Sequence, residues 1–140
     1  MATQPLRHLL AGSALAALAA CAAVLGGNDR MIDDGQAFSM RPGERMLLTD
    51  HSQLRYLRLV ADSRCPPGVQ CIRAGDAEVA FQWTPPDGTT QDFSLKTPPP
   101  AQPQSRELGT RRLTLQTLAR GAAPQAQLRI ELVDGSAASP

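Results

Sequence analysis

The stretch Ala77-Glu78-Val79-Ala80-Phe81-Gln82-Trp83 sets every odd position apolar and most even positions polar. This is the two-residue period of a strand with one buried face. Pro85-Pro86-Asp87-Gly88 follows, with prolines that preset φ and a glycine that tolerates positive φ. Gln91-Asp92-Phe93-Ser94-Leu95 again carries its apolar residues on odd positions. Together these segments read as a β-hairpin that turns Phe81, Trp83, Phe93 and Leu95 toward one core.

The same grammar extends in both directions. Downstream, Arg112 to Leu118 and Ala126 to Leu132 form a second hairpin joined through Arg120-Gly121-Ala122-Ala123-Pro124, and the second arm alternates throughout. Upstream, Phe38-Ser39-Met40 and Glu44 to Leu48 flank a tight turn at Pro42-Gly43, and Leu54 to Ala61 is a longer strand of mixed pattern. No stretch of this region keeps a helical period of 3.6 for more than about two turns. The expectation is an all-β domain over 37–134, a small antiparallel β-sandwich or partly open barrel of about eight short strands. Thr97-Pro98-Pro99-Pro100-Ala101-Gln102-Pro103-Gln104 has four residues without an amide donor and reads as an exposed connection. Residues 135–140 read as a disordered tail.

The N-terminus reads as an address. A polar start with Arg7 and His8 leads into twelve uncharged, largely apolar residues, Leu9 to Ala20, the length of a signal-peptide core and too short for a membrane span. Leu18-Ala19-Ala20-Cys21 is similar to the lipobox of bacterial lipoproteins. That resemblance implies cleavage before Cys21 and acylation there, so that 1–20 is a signal peptide and 21–36 a lipidated cysteine and tether. Ala22, a non-acidic residue after the cysteine, is the usual context for lipoproteins sent to the outer membrane, facing the periplasm. An ordinary cleaved signal peptide is the competing reading, because the small residues at 17–20 also suit a general signal peptidase.

Charge narrows the functions. The chain carries a net charge of +1; beyond Arg7 its basic and acidic residues are equal in number, and the basic ones are scattered through the strands rather than blocked together. No nucleic-acid partner is expected from so balanced a surface. Asp33-Asp34, in the polar segment before the domain, reads as solvated charge. Catalytic readings fare poorly. His51 is the only histidine of the domain, and Asp50-His51-Ser52 are sequence neighbours whose side chains do not simply converge on one substrate. No phosphate-binding glycine loop and no multi-histidine spacing is present, so no metal or other cofactor is expected.

Two cysteines remain, Cys65 and Cys71, with Pro66, Pro67, Gly68, Val69 and Gln70 between them. In an exported chain this pair is expected to be a disulfide; a metal site would need two further ligands. The surrounding Asp62-Ser63-Arg64-Cys65-Pro66 … Cys71-Ile72-Arg73-Ala74-Gly75 resembles a group of small bacterial lipoproteins with a shared Asp-Ser-Arg-Cys-Pro … Cys-(Val/Ile)-Trp-Ala-Gly segment. Arg73 stands here where that pattern has Trp. The resemblance implies an all-β envelope lipoprotein and no reaction. Asp62, Arg64 and Asp76 suit a role in fixing the loop. The loop itself, Pro66 to Gln70 with Arg73, reads either as a structural staple or as a stiff recognition surface. The expected function is a membrane-anchored envelope module, binding or structural and not an enzyme, with an envelope protein as a candidate partner. An inhibitor of an envelope-directed hydrolase and a small hydrolase using His51 are the alternatives.

Overall fold

A computed structural model describes residues 30–97 and 104–133. The expected signal peptide, Cys21, residues 98–103 and the expected tail 135–140 lie outside the described residues. Within them the chain forms nine strands: β1 (Arg30–Ile32), β2 (Ala37–Met40), β3 (Arg45–Leu48), β4 (Gln53–Asp62), β5 (Ala77–Thr84), β6 (Gln91–Lys96), β7 (Gln104–Leu108), β8 (Arg111–Leu118) and β9 (Ala126–Leu132). One sheet has the order β1-β3-β4-β5-β6 and the other β2-β9-β8-β7. The architecture is a small all-β sandwich.

The period-two pattern decides which side chains enter the core. On β5, Ala77, Val79, Phe81 and Trp83 are buried, and on β9 Ala126, Leu128 and Ile130 are. Tyr56 and Phe81 meet with ring centroids 5.0 Å apart, and Phe93 extends the stack at 5.7 Å. On β8 the inward residues Leu113 and Leu115 are odd but Leu118 is even, because the register with β9 shifts between Leu115 and Thr117. An extra residue in a strand reverses the phase of everything after it. Two such shifts on β4, between Tyr56 and Arg58 and between Leu59 and Ala61, account for its mixed sequence. Only Leu54 and Tyr56 of this strand are deeply buried.

Three expectations need correction. The domain starts earlier than residue 37: β1 lies within the presumed tether, pairs with β3 in parallel, and buries Ile32 in the core. Three residues with one inward side chain carry too little pattern to be read as a strand, and the parallel pair makes this sheet mixed rather than wholly antiparallel. β7 likewise starts at Gln104, the end of the expected loop, and pairs with β8. Finally, Leu132 is 54 % exposed although the alternation of β9 points it inward. It lies opposite Arg111 in the ladder, at the rim where Arg111 takes the interior space.

β4 and β8 run lengthwise between the two ends of the sandwich. One end gathers the turns after β1, β3, β5 and β7. The other gathers the β4–β5 connection with Cys65 and Cys71, and the β8–β9 connection.

Candidate functional site

The β4–β5 connection, residues 63–76, is the most elaborate loop described. Cys65 and Cys71 are joined by a disulfide with a Cα–Cα distance of 5.9 Å. Below the ring the two sides of the loop continue to pair, Ser63 N donating to Asp76 O at 2.7 Å and Cys65 N to Ala74 O at 3.0 Å. This closeness explains Gly75: with φ at 68°, a Cβ there would collide with the Ser63 carbonyl. Only glycine allows both the left-handed turn and that approach. Gly68, also at positive φ, reverses the chain inside the ring, where Val69 N donates to Pro66 O at 3.2 Å.

Two arginines tie this loop to the opposite sheet. Arg64 donates through Nε to Asp62 Oδ1 at 2.8 Å and through its Nη atoms to the carbonyls of Leu118 at 2.7 Å and Ala119 at 2.9 Å. Arg120 returns the bond, donating to the Cys65 carbonyl at 2.7 Å. The fork of the guanidinium is what allows one side chain to span a carboxylate and two carbonyls. The Arg64 hydrogen bonds hold the Asp62 carboxyl down at about 2, against a smaller upward push from burial. Beneath them the Tyr56 hydroxyl donates to the carbonyl of the buried Pro124 at 3.1 Å, and burial raises the phenol to about 12. The expected ion pair and side-chain-to-backbone bonds are thus both present.

The side chains beyond this framework point outward. Pro66, Pro67, Gly68, Val69, Gln70 and Arg73 are all exposed. Val69 is 55 % exposed and Ile72 completely so. Arg73 has no ion-pair partner among the described residues.

At the other end the structure assembles a cluster that sequence reasoning missed. Arg111, 7 % exposed, donates from Nε to Asp34 Oδ1 at 2.6 Å, from Nη1 to Asp50 Oδ2 at 2.7 Å and from Nη2 to Thr49 Oγ1 at 2.7 Å. Thr49 passes the bond on to Asp34 Oδ2 at 2.8 Å. The Arg111 hydrogen bond lowers the Asp34 carboxyl below its ordinary value. For Asp50, burial pushes upward but is outweighed by the Ser52 hydroxyl and amide bonds and by the charge of Arg111. Asp34 is therefore an ion-pair partner held by the fold and not solvated charge on a tether. One signal was available, since Arg111 stands on the inward phase of Leu113 and Leu115, although the strand reads from Arg112 on polarity alone.

This cluster also defines the surroundings of His51. The residue sits exposed at φ 65° in a tight turn whose backbone closes from His51 N to Leu48 O at 2.9 Å. The Ser52 hydroxyl is buried and donates to Asp50 at 2.6 Å. Asp50, His51 and Ser52 are not brought together as a nucleophile, base and orienting acid: the serine bonds the aspartate directly, and the aspartate faces Arg111. Among the described residues no group of three or more His, Cys, Asp or Glu side chains is placed to hold a metal ion.

The fold and the loop together define a disulfide-stapled β-sandwich with a fixed, outward-facing loop at one end. Compared with protein-family models, curated proteins and solved structures, the chain shows no match.

Proposed function

We propose that this chain is an envelope lipoprotein, acylated at Cys21, whose sandwich presents the Cys65–Cys71 loop as a non-catalytic recognition surface. The observation that carries the reading is the contrast within the loop. Its backbone is fixed by the disulfide, Arg64, Arg120 and Gly75, while Val69, Ile72 and Arg73 are left exposed. A loop ordered before it meets its partner loses little conformational freedom on binding. A purely structural staple has no need to hold an isoleucine wholly in water.

The anchor supports the same reading. The run Leu9 to Ala20 followed by Cys21 suits export and acylation, and two or more acyl chains hold a protein stably at a bilayer. The outer membrane, facing the periplasm, is the site that Ala22 favours.

The reading is tested with a photo-crosslinking side chain placed at Gln70 of the full chain and irradiated in intact envelopes. Adducts are expected at Gln70 and not at the exposed Gln116 on β8. Equal labelling at the two positions would remove the loop's claim to be the recognition surface.

A further inference from the structure

The outer faces of the two sheets treat arginine in opposite ways. On the β2-β9-β8-β7 sheet, Arg112 meets Glu107 at 3.2 Å and Arg129 meets Glu131 at 2.5 Å. On the other sheet, β5 and β6 settle their charges between themselves: Gln82 donates to Asp92 at 2.9 Å, Ser94 to Glu78 at 2.6 Å, and Lys96 lies 3.9 Å from Glu78. β3 and β4 do not. Arg45 and Arg55 stand directly opposite each other in the ladder, and Arg58 follows on β4 across from Ala80, which points outward between the buried Val79 and Phe81. All three arginines are exposed, and Arg55 and Arg58 have no hydrogen bond or ion pair among the described residues. No acid stands on β3, nor on β4 before Asp62, and Glu44 just ahead of β3 accepts from the Arg41 amide at 2.7 Å. Like charges directly opposite on one face repel. The arrangement costs the free fold and favours an anionic partner laid over it.

Apolar side chains are interleaved with these arginines. Met31, opposite the half-buried Leu47, shares their face because Ile32, Met46 and Leu48 turn inward, and it is 52 % exposed. Val60, the extra residue in the second β4 register shift, is 43 % exposed. A flat surface that offers guanidinium groups and apolar side chains together suits a bilayer, anionic outside and apolar just beneath. The position of Arg30 favours the same partner. It lies level with Met46 and Leu54, so two strand spacings and four residues along β4 lead to Arg58, roughly 16 Å in all. Nine peptide units separate Cys21 from Arg30, and a chain of that length reaches at most about 30 Å. That reach is about twice the distance, so the face can lie on the anchoring bilayer without any particular course of residues 22–29.

We infer that the outer face of β3 and β4 rests on the bilayer that carries the anchor, with Arg45, Arg55 and Arg58 against anionic phospholipid headgroups and Met31 and Val60 among them. This inference rests on the acylation of Cys21 and adds an orientation to the proposed function. The anchor supplies the attachment and the arginine face sets the pose. The sheet that holds β8 and β9 then faces away from the membrane, and the Cys65–Cys71 loop is carried at the rim, open to a protein partner.

The test uses the mature chain purified from membranes and reconstituted into vesicles of phosphatidylcholine with or without phosphatidylglycerol, both carrying a nitroxide quencher on lipid headgroups. Val60→Trp places an indole on the β4 face and Gln116→Trp one on the opposite sheet; both positions are exposed, and the native Trp83 is buried. With phosphatidylglycerol present, most of the added emission of Val60→Trp is expected to be quenched and little of that of Gln116→Trp. Two arginines at an anionic surface favour the docked over the undocked orientation roughly 30-fold. Arg55→Gln with Arg58→Gln should therefore largely abolish the difference, as should omitting phosphatidylglycerol. Arg112→Gln with Arg129→Gln removes the same charge from the other sheet and should leave the difference intact. Equal quenching at the two positions in an acylated chain that floats with the vesicles, or a difference that survives loss of Arg55 and Arg58, overturns the orientation and leaves the anchor standing. A chain whose mass lacks acyl groups and which does not float overturns both. Unquenched Val60→Trp together with an envelope protein captured by a crosslinker at Arg58 would overturn the orientation and assign the face to an acidic protein instead.

Discussion

Arg111 lies 7 % exposed with Asp34, Thr49 and Asp50 all bonded to its guanidinium, and through them it ties the turns after β1 and β3 to the start of β8. Arg64, at the other end, grips Asp62 and two carbonyls of the facing loop, but the residues just beyond it stand in water. Both ends use an arginine fork. The first encloses its charges within the fold, so that removing one partner strands the others. The second is reinforced covalently and keeps its outermost side chains out of the core. A fold needs only one end of the first kind; the second kind is what a presented surface requires.

The comparison breaks most severely at Arg111. Arg111→Met should cost about 3 kcal/mol, since a partly buried ion-pair network that loses its cation leaves two carboxylates facing each other. The thermal midpoint is expected to fall by roughly 10–20 °C in a domain of this size, as followed by circular dichroism. A drop of a degree or two would mean that water already screens the cluster.

Removing the staple comes next. Cys65→Ser with Cys71→Ser releases a short ring, and loop-closure entropy puts the loss at about 2 kcal/mol. In hydrogen exchange the excess loss of protection should fall on 63–76 and on the 118–120 segment that Arg64 and Arg120 hold. Excess loss centred on β9 instead would show that the ring supports the core.

Acid offers a smaller and more graded test. Asp34, Asp50 and Asp62 all have folded carboxyls below their ordinary value, Asp62 at about 2. Their contribution is complete above the unfolded value, near 4, and is lost as the pH falls through the folded values. The midpoint should therefore decline between about pH 4 and pH 2. In Arg111→Met the decline should be shallower, because protonation then relieves the repulsion between Asp34 and Asp50. Equal slopes in the two proteins would deny Arg111 its part in setting those carboxyls.

What could be read from the sequence follows from how local each feature is. The 77–95 hairpin was legible because period two and the Pro-Pro-Asp-Gly turn agree within twenty residues. The disulfide was legible because the two cysteines enclose their own turn. β1 was not, since a three-residue strand owes its existence to β3 and to the core over Ile32. The Arg111 cluster unites residues 34, 49, 50 and 111, a meeting that only the crossing of the chain between two sheets creates. Leu132 shows the reverse case, a correct local pattern overruled where the core ends.

The division between the two ends is tested most directly by the thermal midpoint of the Val69→Ser, Ile72→Ser double variant measured beside that of Arg111→Met. Both substituted side chains already stand in solvent, and surface substitutions away from special features shift stability by less than about 0.5 kcal/mol. The midpoint is expected to stay within about 3 °C of the parent while that of Arg111→Met collapses. A loss in the double variant as large as that in Arg111→Met would contradict the account, because the exposed tip would then be part of what holds the fold together.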